Sequence, residues 1–486
     1  MIANRYSQAI PPLAVPALAA LIMYGVVLFL PTVLNDADTF WHIATGEKML
    51  QLHHVLHTDP FSHTVPGREW QTHEWLSEIL MALFYRMAGW SGIVILGGLG
   101  AAAMTFILGA WVSRFLPPLS TAVALFLSMS ALMPSLLVRP HLIALPLLAL
   151  WTAMLLLARE RHRSPPLWLP AVMVVWANMH GGYVFGLAMI GPFALEALIA
   201  APRERWLHVI RTWGLFGVLA LLAALVTPHG VEGLIFPFKV MTMKTLDNIV
   251  EWKPVSFGKP SGLELAMMAT LLACLGHGVR VGWVRLGVLL GLFHMALRHI
   301  RHAIVLAVVS PMLLAEPLGR AIEPAMKPDL RRRWLPVVLI ALVELAGVTA
   351  ARLTVPLERR NDEVAPMRAL ATVPQQVRAT PVLNSYGLGG FLIFSGVKVF
   401  MDGRADMYGD AYTSEYLKIE HGDVAAMDKA IARYKIQWMF LNTKSGAARV
   451  MTHKAGWKQL YRDKATAVYV REGSGRSTSL PPSTTR

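Results

Sequence analysis

Charge is scarce in this chain: Asp, Glu, Lys and Arg make up 15% of 486 residues, and acids are the rarer, 30 against 45 bases. So little charge beside 55% hydrophobic residues and a mean hydropathy of +0.47 excludes an ordinary soluble globular protein and leaves the polytopic membrane class. Cysteine is nearly absent. Cys274 stands alone, which excludes an intrachain disulfide and removes cysteine as a guide to compartment. No glycine fingerprint for a dinucleotide is present, since Gly387-Leu-Gly-Gly is too short and misplaced, and no internal repeat is found. The net charge of +15 points to membrane lipids and not to nucleic acid, because bases in such proteins collect in cytoplasmic loops and against anionic lipid.

What is there instead is a series of apolar stretches. Runs of about 17 to 25 residues place about eleven spans, near 11–33, 89–113, 118–138, 141–158, 166–179, 183–201, 213–229, 262–278, 285–298, 302–316 and 335–354. Trp75 to Met87 reads as an interfacial helix feeding the second span. The first span follows Arg5, outlasts a signal-peptide core and is expected to stay as a signal anchor. Bases gather on one side of the spans: Arg5, Arg114, Arg159, Arg161, Arg163, Arg203, Arg205, Arg211, Arg280, Arg285, Lys327 and Arg331 to Arg333. The positive-inside bias therefore puts the N-terminus in the cytoplasm and the opening loop and C-terminal segment outside.

The division expected is a transmembrane part over 1–355, with 34–88 as its first outer loop, an outer α/β domain over 356–472 and a disordered tail over 473–486. In the α/β domain, Val382–Leu383, Val399–Met401, Trp438–Leu441 and Ala467–Val470 read as strands. Asp410–Glu420 and Val424–Tyr434 read as helices, the second with Ala425, Met427, Ile431 and Tyr434 near helical spacing.

Polar chemistry is concentrated on the outer side. Asp36 and Asp38 stand just after the first span, where acids are costly unless solvated or used. Residues two apart in an extended segment point the same way. The pair can thus bind a divalent cation such as magnesium or manganese, or one can serve as general base; a structural use has Asp38 capping a helix that begins at Thr39. His42 reads as a surface histidine or a phosphate or metal ligand. His53, His54, His57, His63 and His73 match no standard zinc spacing, and His73 with Glu74 lines the site or caps the next helix.

Further polar residues flank other spans: Arg139 and His141 in VRPH, Asn178 and His180 in WANMHGGY, Asp247, Glu251 and Lys253 in LDNIVEWKP, and Arg298, Arg301 and His302 in RHIRH. RHIRH is a cationic patch that can hold phosphate or diphosphate or snorkel to headgroups. Arg298 or Arg301 is the first choice as ligand, Arg139 and Lys253 the second. Asn178 and His180 satisfy broken backbone at a Gly181-Gly182 turn or touch substrate. In VFMDGRADMYG, Asp402, Arg404 and Asp406 stabilise a turn or contact an acceptor.

These strings, NDADTFWHIATGEKML and HTDPFSHTVPGREWQTHEWL with LVRPHL, WANMHGGY, IVEWKP and VFMDGRADMYG, resemble bacterial membrane proteins related to the GT-C glycosyltransferase superfamily. That superfamily includes oligosaccharyltransferase catalytic subunits, protein O-mannosyltransferases and the aminoarabinose transferase of lipid A. The resemblance implies a GT-C-like inner-membrane protein that passes a sugar from a polyprenyl-phosphate carrier to a glycan, lipid or protein acceptor on the periplasmic face, with inversion. It implies Asp36 as catalytic carboxylate, with Asp38 assisting or binding metal. The second outer loop, only Arg139-Pro140-His141, departs from oligosaccharyltransferases, which carry a further acidic motif there. Two other functions suit the same pattern: a polymerase or ligase using lipid-diphosphate-linked glycans, and a non-catalytic transporter or assembly partner for such glycans.

Overall fold

The structure, a computed structural model, describes residues 13–323 and 334–472, without the side chains of Asp247, Asn248, Val250 and Trp334. Expectations placed on Arg5, Lys327, Arg331, Arg332, Arg333, the Asp247 side chain and the tail from Gly473 lie outside the described residues. Up to Thr354 the regular structure is helical: α1 (Ala14–Phe29), α2 (Asp38–Leu52), α3 (Trp75–Val112), α4 (Pro118–Leu132), α5 (Pro140–Glu160), α6 (Pro170–Met179), α7 (Tyr183–Ala200), α8 (Trp206–Ala224), α9 (Gly230–Met241), α10 (Gly262–Gly276), α11 (Trp283–Arg298), α12 (Ala303–Ile322) and α13 (Trp334–Thr354).

Every expected span meets one of these helices. Among the described residues, seven stretches are long and apolar enough to cross a membrane: Trp75–Val112, Pro118–Ser135, Pro140–Glu160, Tyr183–Ala200, Arg203–Ala224, Ile300–Ile322 and Leu335–Thr354. Ala14–Phe29, Pro170–Met179 and Gly262–Gly276 are apolar but shorter. The chain is a multi-pass membrane protein, and apolar side chains exposed on α10 and α13, such as Leu272, Leu275, Ile340 and Val343, are suited to lipid contact. Gly89 breaks α3. Its φ of 55° and ψ of −139° are a conformation glycine reaches without a Cβ clash, so the interfacial stretch and the span are two segments of one helical run.

The chain divides into two units. The first comprises Met1–Leu34, His73–Thr242 and Leu246–Leu357. Its core forms where α1 packs along α3 and α3 against α5, burying Met23, Tyr24, Val27, Ile93, Val94, Ala101, Trp151 and Leu155. Several bases counted toward the cytoplasmic face are paired: Arg114 with Glu160 at 2.6 Å, and Arg285 with Glu196 at 3.1 Å and Glu316 at 3.2 Å.

The second unit comprises Asn35–Thr72, Met243–Thr245 and Glu358–Arg486, so the opening loop through Thr72 groups with the C-terminal segment. Its short helices are α14 (Met367–Ala371), α15 (Gln375–Arg378), α16 (Gly389–Phe394), α17 (Ala405–His421), α18 (Val424–Tyr434) and α19 (Gly446–Met451). The sheet runs β1 (Val382–Asn384), β2 (Trp438–Asn442), β4 (Thr466–Arg471), β3 (Trp457–Arg462), with β1 parallel to β2 and the other pairs antiparallel. Two strand expectations need correction. Val399–Met401 forms only an isolated bridge, Ser62 to Val399, because the Asn384 side chain takes the Phe400 amide (2.8 Å) and the Met401 carbonyl (2.7 Å). β3 is not marked in the sequence, because no residue of WKQLYR is buried and the segment carries little apolar alternation. α18 matches its expected limits, with Asp423 accepting from the Ala426 amide as N-cap and Met427 and Ala430 buried.

Candidate active site

The acid pair begins in a local capping problem. The first amides of a helix lack intrahelical partners, and at the start of α2 the Asp38 amide donates to Asp36 Oδ1 at 2.7 Å. The side chain that takes this amide is therefore Asp36, and not Asp38, for which capping is the structural alternative. Asp38 Oδ1 instead accepts from Trp41 Nε1 at 2.9 Å. Both acids are half-buried. His42 is buried, its ring centroid 3.6 Å from that of Trp41, which corrects the expectation of a surface histidine.

Gly403 presses on the same carboxylate. A Cβ at 403 would lie 2.0 Å from Asp38 Oδ1 and 3.0 Å from Trp41 Nε1. Gly403→Ala must therefore move Asp38 off its rotamer, at about 1–3 kcal/mol. The thermal midpoint in detergent is expected to fall accordingly, while Gly387→Ala, where an added Cβ meets nothing within 4 Å, leaves it in place.

The flanking residues of that turn are fully buried. Arg404 donates to Asp402 through Nε (2.7 Å) and Nη2 (2.6 Å) and to Asp59 through Nη1 (2.8 Å). Tyr408 adds its hydroxyl to Asp402 at 2.7 Å, and the guanidinium lies 4.5 Å from the Trp70 ring centroid. Asp402 and Arg404 were candidates for acceptor contact; with relative exposures of 0% and 1% they are instead the interior tie between the opening loop and the C-terminal segment. Asp406, in the first turn of α17, is half-buried.

The first unit assembles a second cluster from the ends of separate helices. Arg139 precedes α5 and pairs with Glu251 at 2.5 Å; Glu74 precedes α3, with its Oε1 3.6 Å from His180 Nε2 and 3.8 Å from His73 Nε2. His180 caps α6, its Nδ1 accepting from the Gly182 amide at 3.0 Å. The His141 and His180 rings are 6.3 Å apart, and His141 Nε2 meets the Ser135 carbonyl at 3.0 Å. Asn178 is a framework residue: its Oδ1 accepts from Trp75 Nε1 at 2.7 Å and its Nδ2 donates to the Val174 and Val226 carbonyls.

Between α11 and α12, Arg301 lies 4.4 Å from the Trp252 ring centroid, and among the described residues its guanidinium makes no hydrogen bond or ion pair. His302 is buried, its ring near those of His299, Trp252 and Phe185. Arg298 and Lys253 are exposed, and among the described residues no hydrogen bond or ion pair joins their side chains to the cluster. Trp75, Trp252 and His299 were not assigned from sequence; their signal was adjacency to residues that were.

Loss of water pushes the Glu74 carboxyl up to about 7, against the pull of Arg139 and Arg301 and with a further push from Glu251. Loss of water, then the charges of His141, Arg301, His73 and Arg139, hold His180 well below the usual histidine value. Arg139 holds Glu251 below the usual carboxylate value. Because Glu74 is raised in the folded state, its contribution to stability is complete below its ordinary value of 4.5 and is lost as pH rises through about 7. Glu74→Gln should therefore be more stable than wild type at about pH 8, by at most about 3 kcal/mol. The difference should shrink toward about pH 5, read from thermal midpoints of the two proteins in detergent.

Among the described residues no group of three or more His, Cys, Asp and Glu is placed to hold a metal ion; magnesium is commonly held by one or two carboxylates, with water and substrate phosphate completing its shell.

The long apolar helices followed by a small α/β domain define a polytopic membrane protein with the GT-C-like fold. The crystal structure of ArnT from Cupriavidus metallidurans bound to undecaprenyl phosphate is similar over 94% of this chain and 97% of that one, at 13% identity and a TM-score of 0.51. At that identity the likeness concerns the fold. No family model matches the chain, and no curated protein matches it in sequence.

Proposed function

We propose that the protein is a glycosyltransferase of the bacterial inner membrane that takes a sugar from a polyprenyl-phosphate carrier and passes it to an acceptor hydroxyl on the periplasmic face, with inversion. The observation that carries this reading is the fold shared over nearly the whole chain with an ArnT structure that holds undecaprenyl phosphate. The N-terminus is cytoplasmic in this reading and the second unit periplasmic.

The chemistry divides between two kinds of group. The acceptor oxygen bonds to the sugar's anomeric carbon as the carbon–oxygen bond to phosphate breaks. The hydroxyl proton passes to the Asp36 carboxylate, a base of the kind such a step requires. The carrier leaves as polyprenyl phosphate with one more negative charge, which cations must stabilise. Within the first unit Arg301 is a candidate for binding phosphate, because its guanidinium has no hydrogen bond or ion pair among the described residues, whereas Arg139 is already engaged by Glu251. His73, Glu74 and His180 are polar neighbours in that unit, and within the second unit Asp38 holds the start of the helix beside Asp36. No step is assigned to a metal ion.

Reconstituting the full chain in liposomes with radiolabelled polyprenyl-phosphate sugars tests this. Release of polyprenyl phosphate coupled to a labelled product is expected, and Arg301→Gln should reduce it. Label that crosses the bilayer still attached to its carrier, with no product, would instead identify a transporter.

A further inference from the structure

Away from the acid pair and the buried Arg404 tie, the second unit carries a cleft of about 270 Å³ whose lining includes His63, Arg378, Thr380, Pro381, Gly396 and Lys398. Main-chain pairing sets its walls: the His63 amide donates to the Val399 carbonyl and the Val399 amide to Phe61, both at 3.0 Å, while the Gln437 amide donates to Pro381 at 2.9 Å. The lining contains two cations and no carboxylate. Arg404, Arg359, Lys444 and Lys454 elsewhere in the unit meet acids. By contrast, Arg378 uses only Nε, on the Val373 carbonyl at 2.9 Å, and the Lys398 ammonium makes no hydrogen bond or ion pair among the described residues.

The histidine adds a different capacity. His63 Nε2 lies 2.8 Å from the Val382 carbonyl and must donate to it, which leaves Nδ1 of the neutral ring as an acceptor. Burial, then Lys398, lowers the imidazole's affinity for a proton, in spite of the Val382 bond. A guanidinium fork and an ammonium beside a hydroxyl-accepting nitrogen form a set suited to an oxyanion carried on a hydroxylated molecule.

We propose that this cleft binds a phosphate or carboxylate group of a carbohydrate or lipid headgroup, Arg378 and Lys398 taking the charge and His63 Nδ1 accepting from a neighbouring hydroxyl. The assignment does not depend on transfer chemistry, because it concerns binding alone.

Hydrogen–deuterium exchange on the full chain in phosphatidylcholine nanodiscs tests it. Glucose 6-phosphate or glucuronate should slow exchange in peptides covering 376–382 and 395–399, and glucose should not. In the Arg378→Gln/Lys398→Gln variant the half-saturating concentration should rise at least about tenfold, the scale of one lost charged hydrogen bond. Protection by the soluble anions in phosphatidylcholine assigns a carbohydrate; protection only when phosphatidylglycerol is added assigns a headgroup. The proposal is overturned if neither protects these peptides, or if a variant with an unchanged thermal midpoint responds as wild type does.

Discussion

Asp36→Asn is expected to lower the rate of sugar transfer by about 10² to 10⁴, the range associated with losing a positioned general base. The thermal midpoint should stay within experimental error. The separation is possible because the observed cap and the proposed base role of Asp36 differ in what they require. Its Oδ1 accepts the Asp38 amide at the start of α2, and asparagine caps helices about as well as aspartate does. Accepting a proton from an acceptor hydroxyl needs the carboxylate, which asparagine lacks. Asp36→Ala should lose transfer too, but with about 1 kcal/mol of stability lost along with the cap. Equal transfer by Asp36→Asn and wild type, assayed with the same labelled donor, would take Asp36 out of the mechanism and leave it a capping residue.

Hydropathy made the membrane helices legible, since every expected span falls on a helix. Length was less secure: four of the eleven expected spans, on α1, α6, α10 and α11, fall on helices outside the seven that are long and apolar enough to cross a membrane. The α/β domain was readable where burial is strong, as in β2 and β4, and unreadable in β3, none of whose residues is buried. For the first-unit cluster, the sequence located polar residues at the ends of different spans but not their pairings. Arg298 and Arg301 stand three apart in RHIRH with equal claims as residues; the first ends α11 exposed, and the second turns onto Trp252. Nothing in composition separates them, because the choice is made by a turn of 3₁₀ helix between α11 and α12.

The least legible feature was Asp59. It lies 345 residues from Arg404, inside a histidine-rich loop. Its role comes from a local turn that only the structure reveals. Asp59 accepts from the Phe61 and Ser62 amides at 3.0 and 3.1 Å and so presents a buried carboxylate to an arginine far along the chain.

Arg404→Met should accordingly destabilise the second unit by about 3–5 kcal/mol, the cost of leaving one partner of a buried pair uncompensated. Two carboxylates, Asp402 and Asp59, would remain at 0% and 2% exposure with no cation beside them. That is a large share of the about 5–15 kcal/mol by which domains are stable. Arg404→Lys should recover little, because a single ammonium cannot reproduce the bonds from Nε, Nη1 and Nη2 to two acids. Combining Arg404→Met with Asp59→Asn and Asp402→Asn should restore part of the loss, since the stranded charges go with it. Thermal unfolding followed by tryptophan fluorescence reads the effect, Trp70 lying against the guanidinium. The outcome that sinks this account is an unchanged midpoint with sugar transfer lost, for then Arg404 would be acting on a ligand and not on the fold.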